Sequence, residues 1–247
     1  MDSWKKKLIG YDFILWNLEN FNINTSPWVK QAFEAKKYAF AADFIRLYAV
    51  YNFGGIYLDM DIEVLKPFDQ LLVRDIMISY EQDGTNCFEA ACFGAIKGSV
   101  YIKKCLDYYT GRSFLKDDGT YDEKPLPYIM YDTAIELFHK NNAAIYSSDF
   151  FSPKNYETRQ LNLTKNTYTI HHYDASWMPL DFVKIRWVVR EKVGYNFFSE
   201  YLIKIISTSI TARRHMVYFK ERINERGILK ALRYYYVKYF CQKLNKI

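Results

Sequence analysis

A helical pattern that stops at two glycines and gives way to an alternating strand is the feature that most restricts the fold of this chain. The stretch WVKQAFEAKKYAFAADFIRLYAVYNF carries apolar side chains at three- and four-residue spacing. Ser26 and Pro27 suit the start of a helix, and Gly54 with Gly55 suits its end. Apolar and polar side chains then alternate through IYLDMDIEV, as in a half-buried strand. The sequence predicts a helix that leads directly into a strand over residues 56–64.

Strand and helix patterns alternate along much of the remaining chain. The helix before Gly54 is predicted to break near Ala35, and residues 11–21 begin with a short strand pattern. A strand is predicted in DIMISY, and helices are predicted in SVYIKKCLDYYTGR and MYDTAIELFHKNN. Such alternation is typical of an α/β sheet, whose ligands collect at the ends of strands.

The net charge of +6 divides unevenly along the chain. Residues 182–247 hold 15 Lys and Arg against 4 Asp and Glu, a charge of +11, whereas residues 1–181 carry −5. We therefore predict a body over residues 1–181 and a basic, aromatic-rich helical segment over residues 182–247. The composition of this segment suits binding to an anionic membrane surface or an anionic polymer better than sequence-specific nucleic-acid recognition. The alternative is a solvated helix pair that packs aromatic stripes on the body.

The sequence also predicts where in the cell the protein is located. Charged residues interrupt the apolar runs before they reach the roughly 18 residues of a membrane span, and the first residues lack the apolar core of a secretory signal. We expect a cytoplasmic protein that binds peripherally to the inner face of the membrane. Without a CxxC pair or a regular framework, the cysteines are predicted to be free, mostly buried thiols. They are Cys87, Cys92, Cys105 and Cys241.

Two carboxylates on one strand face are the strongest chemical signal. Asp59 and Asp61 at the end of a strand suit a divalent cation, and such a cation commonly bridges a pyrophosphate. The alternative is an ordinary exposed strand face. Upstream, Asp43 and Arg46 lie one helical turn apart among apolar neighbours, which favours a buried pair with a function over a surface pair worth about 0.2–0.5 kcal/mol.

The run KKYAFAADFIRLYAVYNFGGIYLDMDIEVLKPFDQLL resembles the sugar-binding region of glycosyltransferase family 32. This DXD-containing group includes capsule and polysaccharide glycosyltransferases and is related to the glucosyltransferase domains of large bacterial cytotoxins. The run has the features of the family pattern in register: the small-residue helix with Asp43 and Arg46, the Gly-Gly turn, Tyr57 and the two aspartates. A looser resemblance continues through GTYDE and on to Trp177.

The resemblance implies a metal-dependent, retaining glycosyltransferase that moves a sugar from a nucleotide-sugar to a glycan or lipid-linked acceptor in capsule or cell-surface polysaccharide synthesis. It implies Mn²⁺ or Mg²⁺ and favours a UDP-sugar over a GDP-sugar. The implied catalytic residues are Asp43, Arg46, Asp59 and Asp61. The implied donor-binding residues are Asp43, Arg46, Tyr57, Asp59, Met60, Ser176 and Trp177. The implied metal ligands are Asp59, Asp61 and His172, which is preferred over His171. Asn86 and Glu89 either line the sugar or acceptor side or belong to a plain loop.

The implied fold is a GT-A-like α/β fold, in which a Rossmann-type mixed sheet is flanked by helices. The first strand of the family pattern is missing here, so a truncated, non-catalytic relic is the alternative function. A haloacid-dehalogenase-like phosphatase is a second alternative, because that class also places D-x-D at a strand end. It is disfavoured because Glu63 stands where that pattern has Thr or Val.

Overall fold

The structure is a computed structural model that describes residues 1–141, 145–174 and 182–208. The chain divides into two units. The first comprises Met1–Asn155 with Leu161–Asp174, and the second comprises Tyr156–Gln160 with Ala175–Ile247. Among the described residues, no helix is both long enough and apolar enough to cross a membrane.

The helices of the first unit lie where the sequence patterns predicted them, except the first, over Asp2–Lys7, which was not predicted. They are α1 (Asp2–Lys7), α2 (Pro27–Glu34), α3 (Tyr38–Phe53), α4 (Val100–Asp107) and α5 (Leu126–Asn141). The predicted break near Ala35 is confirmed, since Lys36 adopts a left-handed φ of 58° between α2 and α3. Gly54 ends α3 with a φ of 72°, and its N–H donates to the carbonyl of Val50 at 2.9 Å. Glycine is required there because other residues rarely adopt such a φ.

The strands of the first unit form two small antiparallel sheets. They are β1 (Gly55–Leu58), β2 (Ile62–Val64), β3 (Ile76–Met77), β4 (Cys92–Ala95) and β5 (Thr169–His171). The first sheet has the order β1-β4-β3, and β2 pairs with β5 in the second. This is a mixed α/β architecture compatible with a GT-A-like fold. The specific Rossmann arrangement and the missing first strand stay predictions.

Two sequence expectations about strands were wrong, and one strand was not predicted. The predicted single strand over residues 56–64 is interrupted by a turn at Met60 and Asp61, so β1 and β2 belong to different sheets. Residues 11–16 form no strand, because no neighbouring strand pairs with them in the described part of the chain. Strand β4 was not predicted because all four of its residues are buried and it shows no alternation. Gly94 lets β1 approach, since a Cβ there would lie 3.0 Å from the Gly55 carbonyl oxygen.

Two apolar clusters hold the first unit together. One packs α2 to α5 against the three-stranded sheet around Trp28, which is 1% exposed. The other surrounds the two-stranded sheet, where the Trp4 indole N–H donates to the Ile62 carbonyl at 2.7 Å. Cys87, Cys92 and Cys105 are free and buried, as predicted, while Cys241 lies outside the described residues. The two clusters fix both ends of the turn that carries the D-x-D aspartates.

The second unit contains helices α6 (Phe182–Val193) and α7 (Phe197–Thr208). The Arg190 guanidinium makes two hydrogen bonds to the Glu200 carboxylate, at 2.8 and 3.0 Å, and a third to the Glu157 carbonyl at 2.7 Å. These contacts join α6 to α7 and to the short segment Tyr156–Gln160. The membrane contact predicted for residues 182–247 stays a prediction.

Candidate active site

The two aspartates of the D-x-D motif lie on the turn between β1 and β2. The Asp59 N–H donates to the Ala91 carbonyl at 2.8 Å, which continues the pairing of β1 with β4 by one residue. The Ile62 N–H donates to the Asp59 carbonyl at 3.0 Å and closes the turn. Asp59 and Asp61 therefore sit at the point where one sheet ends and the other begins, as ligand-binding residues of α/β folds commonly do.

Arg46 occupies the centre of a buried charge cluster beside this turn. It is 8% exposed, and its Nη1 donates to the Ala90 carbonyl at 2.8 Å. The guanidinium lies 3.4 Å from a carboxylate oxygen of Asp43 and 3.4 Å from one of Asp59. Burial raises the pKa of Asp43 to about 6, although the Arg46 charge opposes that rise. The pair of Asp43 and Arg46 on α3 is therefore largely buried, as predicted. Arg46 also contacts Asp59, the first aspartate of the motif.

Tyr57 fixes the orientation of Asp59. Its hydroxyl donates to Asp59 Oδ1 at 2.5 Å, and its ring lies 4.8 Å from the Arg46 guanidinium carbon, within cation–π range. The aspartate therefore accepts hydrogen bonds at both oxygens, one from Tyr57 and one from Arg46. A carboxylate held in this way loses little conformational entropy when it binds a ligand.

The histidine beside the aspartates is His171, whereas the sequence predicted His172. β5 pairs with β2 so that His171 lies opposite Ile62, and its Nε2 atom is 3.6 Å from Asp61 Oδ2. Successive residues of an extended segment point to opposite faces, so His172 turns away and its Nε2 lies 2.9 Å from Glu63 Oε2. Choosing between the two rings requires the pairing of β5 with β2 and the course of the turn at Asp61, and the sequence reveals neither.

One potential ligand atom from each of Asp59, Asp61 and His171 lies within 4.8 Å of the others. Two carboxylates and an imidazole are a donor set that suits Mn²⁺, since oxygen ligands suit hard cations and imidazole suits transition metals. The residues present therefore fit a divalent cation. The metal-binding role of each residue stays a prediction.

Neighbouring charges shift the pKa values of two of these groups in opposite directions. Burial would raise the pKa of Asp61, but the hydrogen bond and charge of His171 and the Asp174 backbone N–H lower it to about 2. Burial would lower the pKa of His171, but the Glu89 and Asp61 carboxylates raise it to about 10. At pH 7 an imidazolium lies between two carboxylates, so a cation at Nε2 would have to replace a proton.

The first unit also contains a cavity of about 610 Å³, which is lined in part by Arg46, Tyr57, Asp59 and Met60. Its other walls are mainly apolar and come from α1, α3, β1 and residues 11–16. Met60 is 60% exposed. The volume is within the range of small-molecule sites, which combine apolar walls with a few polar groups. The predicted donor-binding residues Ser176 and Trp177 lie outside the described residues.

Residues 1–77 match the family model described as the glycosyltransferase sugar-binding region containing DXD motif. Inositol phosphoceramide mannosyltransferase 1 of Schizosaccharomyces pombe is 34% identical over 73 residues, covering 28% of this chain and 23% of that protein. Inositol phosphoceramide mannosyltransferase 3 of the same yeast is 32% identical over 66 residues, covering 25% and 18%. Glucan organizing enzyme 1 of Cryptococcus neoformans is 60% identical over 46 residues, covering 19% and 13%.

The matches therefore span less than a quarter of the length of these relatives. No solved structure matches the chain closely enough to count as similar. The match to the family model and the similarity to the two mannosyltransferases support the prediction of a glycosyltransferase. The matched region includes Asp43, Arg46, Tyr57, Asp59 and Asp61, whereas His171 lies beyond it.

Proposed function

We propose that this chain is a glycosyltransferase that transfers a sugar from a nucleotide-sugar to a glycan or lipid-linked acceptor with the aid of a divalent cation. The observation that carries the proposal is the convergence of Asp59, Asp61 and His171, with ligand atoms within 4.8 Å of one another. Two of these residues lie in the segment that matches the DXD sugar-binding region. The coincidence of donor set and motif favours this function over an ordinary acidic turn.

The cation, when bound, would neutralise the negative charge that develops on a departing diphosphate. Asp61 and His171 would hold it directly, and Asp59 would complete the set. Tyr57 and Arg46 would keep Asp59 in place through the two hydrogen bonds described above. Because these groups are partly or fully shielded from water, their charges act more strongly than they would in solvent.

The reaction breaks the bond between the anomeric carbon and a phosphate oxygen, and the electron pair leaves with the nucleoside diphosphate. An acceptor hydroxyl forms the new bond to the anomeric carbon, and its proton passes to the departing diphosphate. Retention of configuration, implied by the family resemblance, places acceptor and leaving group on the same face of the sugar. Positioning then contributes more than a dedicated base, and Arg46 and Tyr57 would supply it on the donor side.

The nature of donor and acceptor is also part of the proposal. The family resemblance favours a UDP-sugar and a role in capsule or cell-surface polysaccharide synthesis. Two relatives are named as inositol phosphoceramide mannosyltransferases, which supports mannose as the sugar and a lipid as the acceptor. The +11 charge of residues 182–247 suits an acceptor presented at the inner face of an anionic membrane.

The proposal is tested by nucleoside diphosphate release from a panel of UDP- and GDP-sugars, including GDP-mannose, with Mn²⁺ and with a chelator. We expect Mn²⁺-dependent release with one donor and its loss in Asp61→Ala. The matched control is Asp174→Ala, which leaves the Asp174 backbone N–H bond to Asp61 in place. No release with any donor, or full release by Asp61→Ala, would reject this catalytic function. Donor binding without release would instead indicate the non-catalytic alternative.

A further inference from the structure

Glu89 is a buried carboxylate at the back of the site, and it belongs to neither the D-x-D motif nor the matched region. It is 1% exposed, and its Oε2 lies 3.1 Å from Nδ1 of His171. The Ala91 N–H donates to its Oε1 at 2.6 Å, and the Ser152 hydroxyl donates to its Oε2. A buried carboxylate is costly unless it is paired and hydrogen-bonded, and Glu89 satisfies both conditions through these partners.

The segment that carries Glu89 also contacts the other site residues. The Ala90 carbonyl accepts from Arg46 at 2.8 Å, and the Ala91 carbonyl accepts from the Asp59 N–H at 2.8 Å. Residues 89–91 therefore contact three parts of the site, which are Arg46 on α3, Asp59 in the turn after β1 and His171 at the end of β5. Only Glu89 does so through its side chain, and its partner is the imidazole.

We propose that Glu89 is the positioning residue of the cation site and gives that site its preference for Mn²⁺ over Mg²⁺. A carboxylate at Nδ1 selects the tautomer that has its proton on Nδ1 and a lone pair on Nε2. Nε2 is the atom that faces Asp61, at 3.6 Å. Imidazole favours Mn²⁺ over Mg²⁺, because Mg²⁺ takes oxygen ligands. This inference rests on the proposed function, since it requires a cation at Asp61 and His171.

The structure also provides a matched control within the same two-stranded sheet. Glu63 makes a similar carboxylate contact to His172, at 2.9 Å, but both side chains are about two-fifths exposed and lie on the opposite face. If the contact alone mattered, Glu63→Gln would weaken Mn²⁺ binding as much as Glu89→Gln. If position matters, as we infer, Glu63→Gln leaves Mn²⁺ binding unchanged.

The test is Mn²⁺ titration of the full chain, followed by electron paramagnetic resonance, with Mg²⁺ affinity measured by competition. We expect Glu89→Gln and Glu89→Ala to weaken Mn²⁺ binding by about 10–100-fold, as loss of such partners commonly does. The loss of Mg²⁺ affinity should be smaller. Pulsed spectra of bound Mn²⁺ should show nitrogen coupling in wild type and Glu63→Gln, and this coupling should disappear in Glu89→Ala and His171→Ala.

Equal Mn²⁺ affinity in wild type and Glu89→Gln would overturn the inference, as would equal losses of Mn²⁺ and Mg²⁺ affinity. If Glu89→Ala does not fold, Glu89→Gln and Ser152→Ala carry the test, because Ser152→Ala removes one hydrogen bond that orients Glu89. A wild-type chain that binds no Mn²⁺ would reject the cation in the proposed function itself. A wild-type chain that binds it and a Glu89→Gln variant that binds it equally well would reject only the role of Glu89.

Discussion

Raising the pH should tighten the binding of Mn²⁺ to this protein, and His171 sets the size of the effect. Burial alone would lower the pKa of His171, but Glu89 and Asp61 raise it from 6.5 to about 10. A cation that binds Nε2 must displace a proton. At pH 7, about three units below that pKa, proton removal costs about 4 kcal/mol at 1.36 kcal/mol per unit. Affinity should therefore rise about tenfold per pH unit and about a hundredfold from pH 7 to pH 9.

Isothermal titration calorimetry between pH 7 and pH 9, in buffers of different protonation enthalpy, measures both the affinity and the proton release. We expect about one proton to leave the wild-type protein for each Mn²⁺ bound. His171→Ala should bind more weakly and lose this pH dependence, whereas His172→Ala should keep it. The two variants separate the ring that faces Asp61 from the ring that faces Glu63.

A flat pH dependence with no proton release in the wild type would show instead that the cation is bound without His171. The stability of the metal-free fold should change in the opposite direction. The raised pKa of His171 means that its stabilising interaction is fully present below pH 6.5 and is lost as the pH rises through about 10. Tighter Mn²⁺ binding at high pH therefore cannot come from a more stable fold.

Three further predictions concern the support of the site and the basic segment. Arg46→Met should lower the free energy of unfolding in urea by about 3–5 kcal/mol, because two carboxylates lose their buried cation, and a loss below about 1 kcal/mol would contradict this role. Gly54→Ala should destabilise the fold by about 1–3 kcal/mol and more than Gly84→Ala. Both glycines have positive φ, but only at Gly54 would the new Cβ lie 2.8 Å from a backbone nitrogen, so equal losses would argue against the clash. The charge of residues 182–247 predicts co-sedimentation with anionic liposomes that weakens with salt, and binding insensitive to anionic lipid would contradict it.

Local signals in the sequence predicted the helices beside the candidate site. Pro27 and Gly54 mark the start of α2 and the end of α3, because proline and glycine restrict or extend the backbone conformations available at those points. The buried pair of Asp43 and Arg46 also followed from the sequence, since two charges stand among apolar residues on one helix. These features depend on neighbours within a few positions along the chain.

The strand half of the site depends on contacts that the local sequence does not reveal. The alternation predicted in IYLDMDIEV is present in β2, where Ile62 and Val64 are buried and Glu63 is not, but it is absent from β1. It also did not show that the turn at Met60 sends β1 and β2 to different sheets. The turn at Met60 and Asp61, together with the alternation of side chains along β5, brings the Asp61 carboxylate to His171 and not to His172. Glu89 reaches His171 across 82 positions, in a loop with no regular pattern. Long-range pairing of this kind becomes visible only once the chain is folded.

The proposed cation site is tested by a crystal of the full chain grown with Mn²⁺ and a nucleoside diphosphate, measured at the manganese absorption edge. We expect one anomalous peak in contact with Asp61 and the Nε2 atom of His171, next to the diphosphate. A peak at His172, or a diphosphate bound away from Asp59 and Asp61, would contradict it.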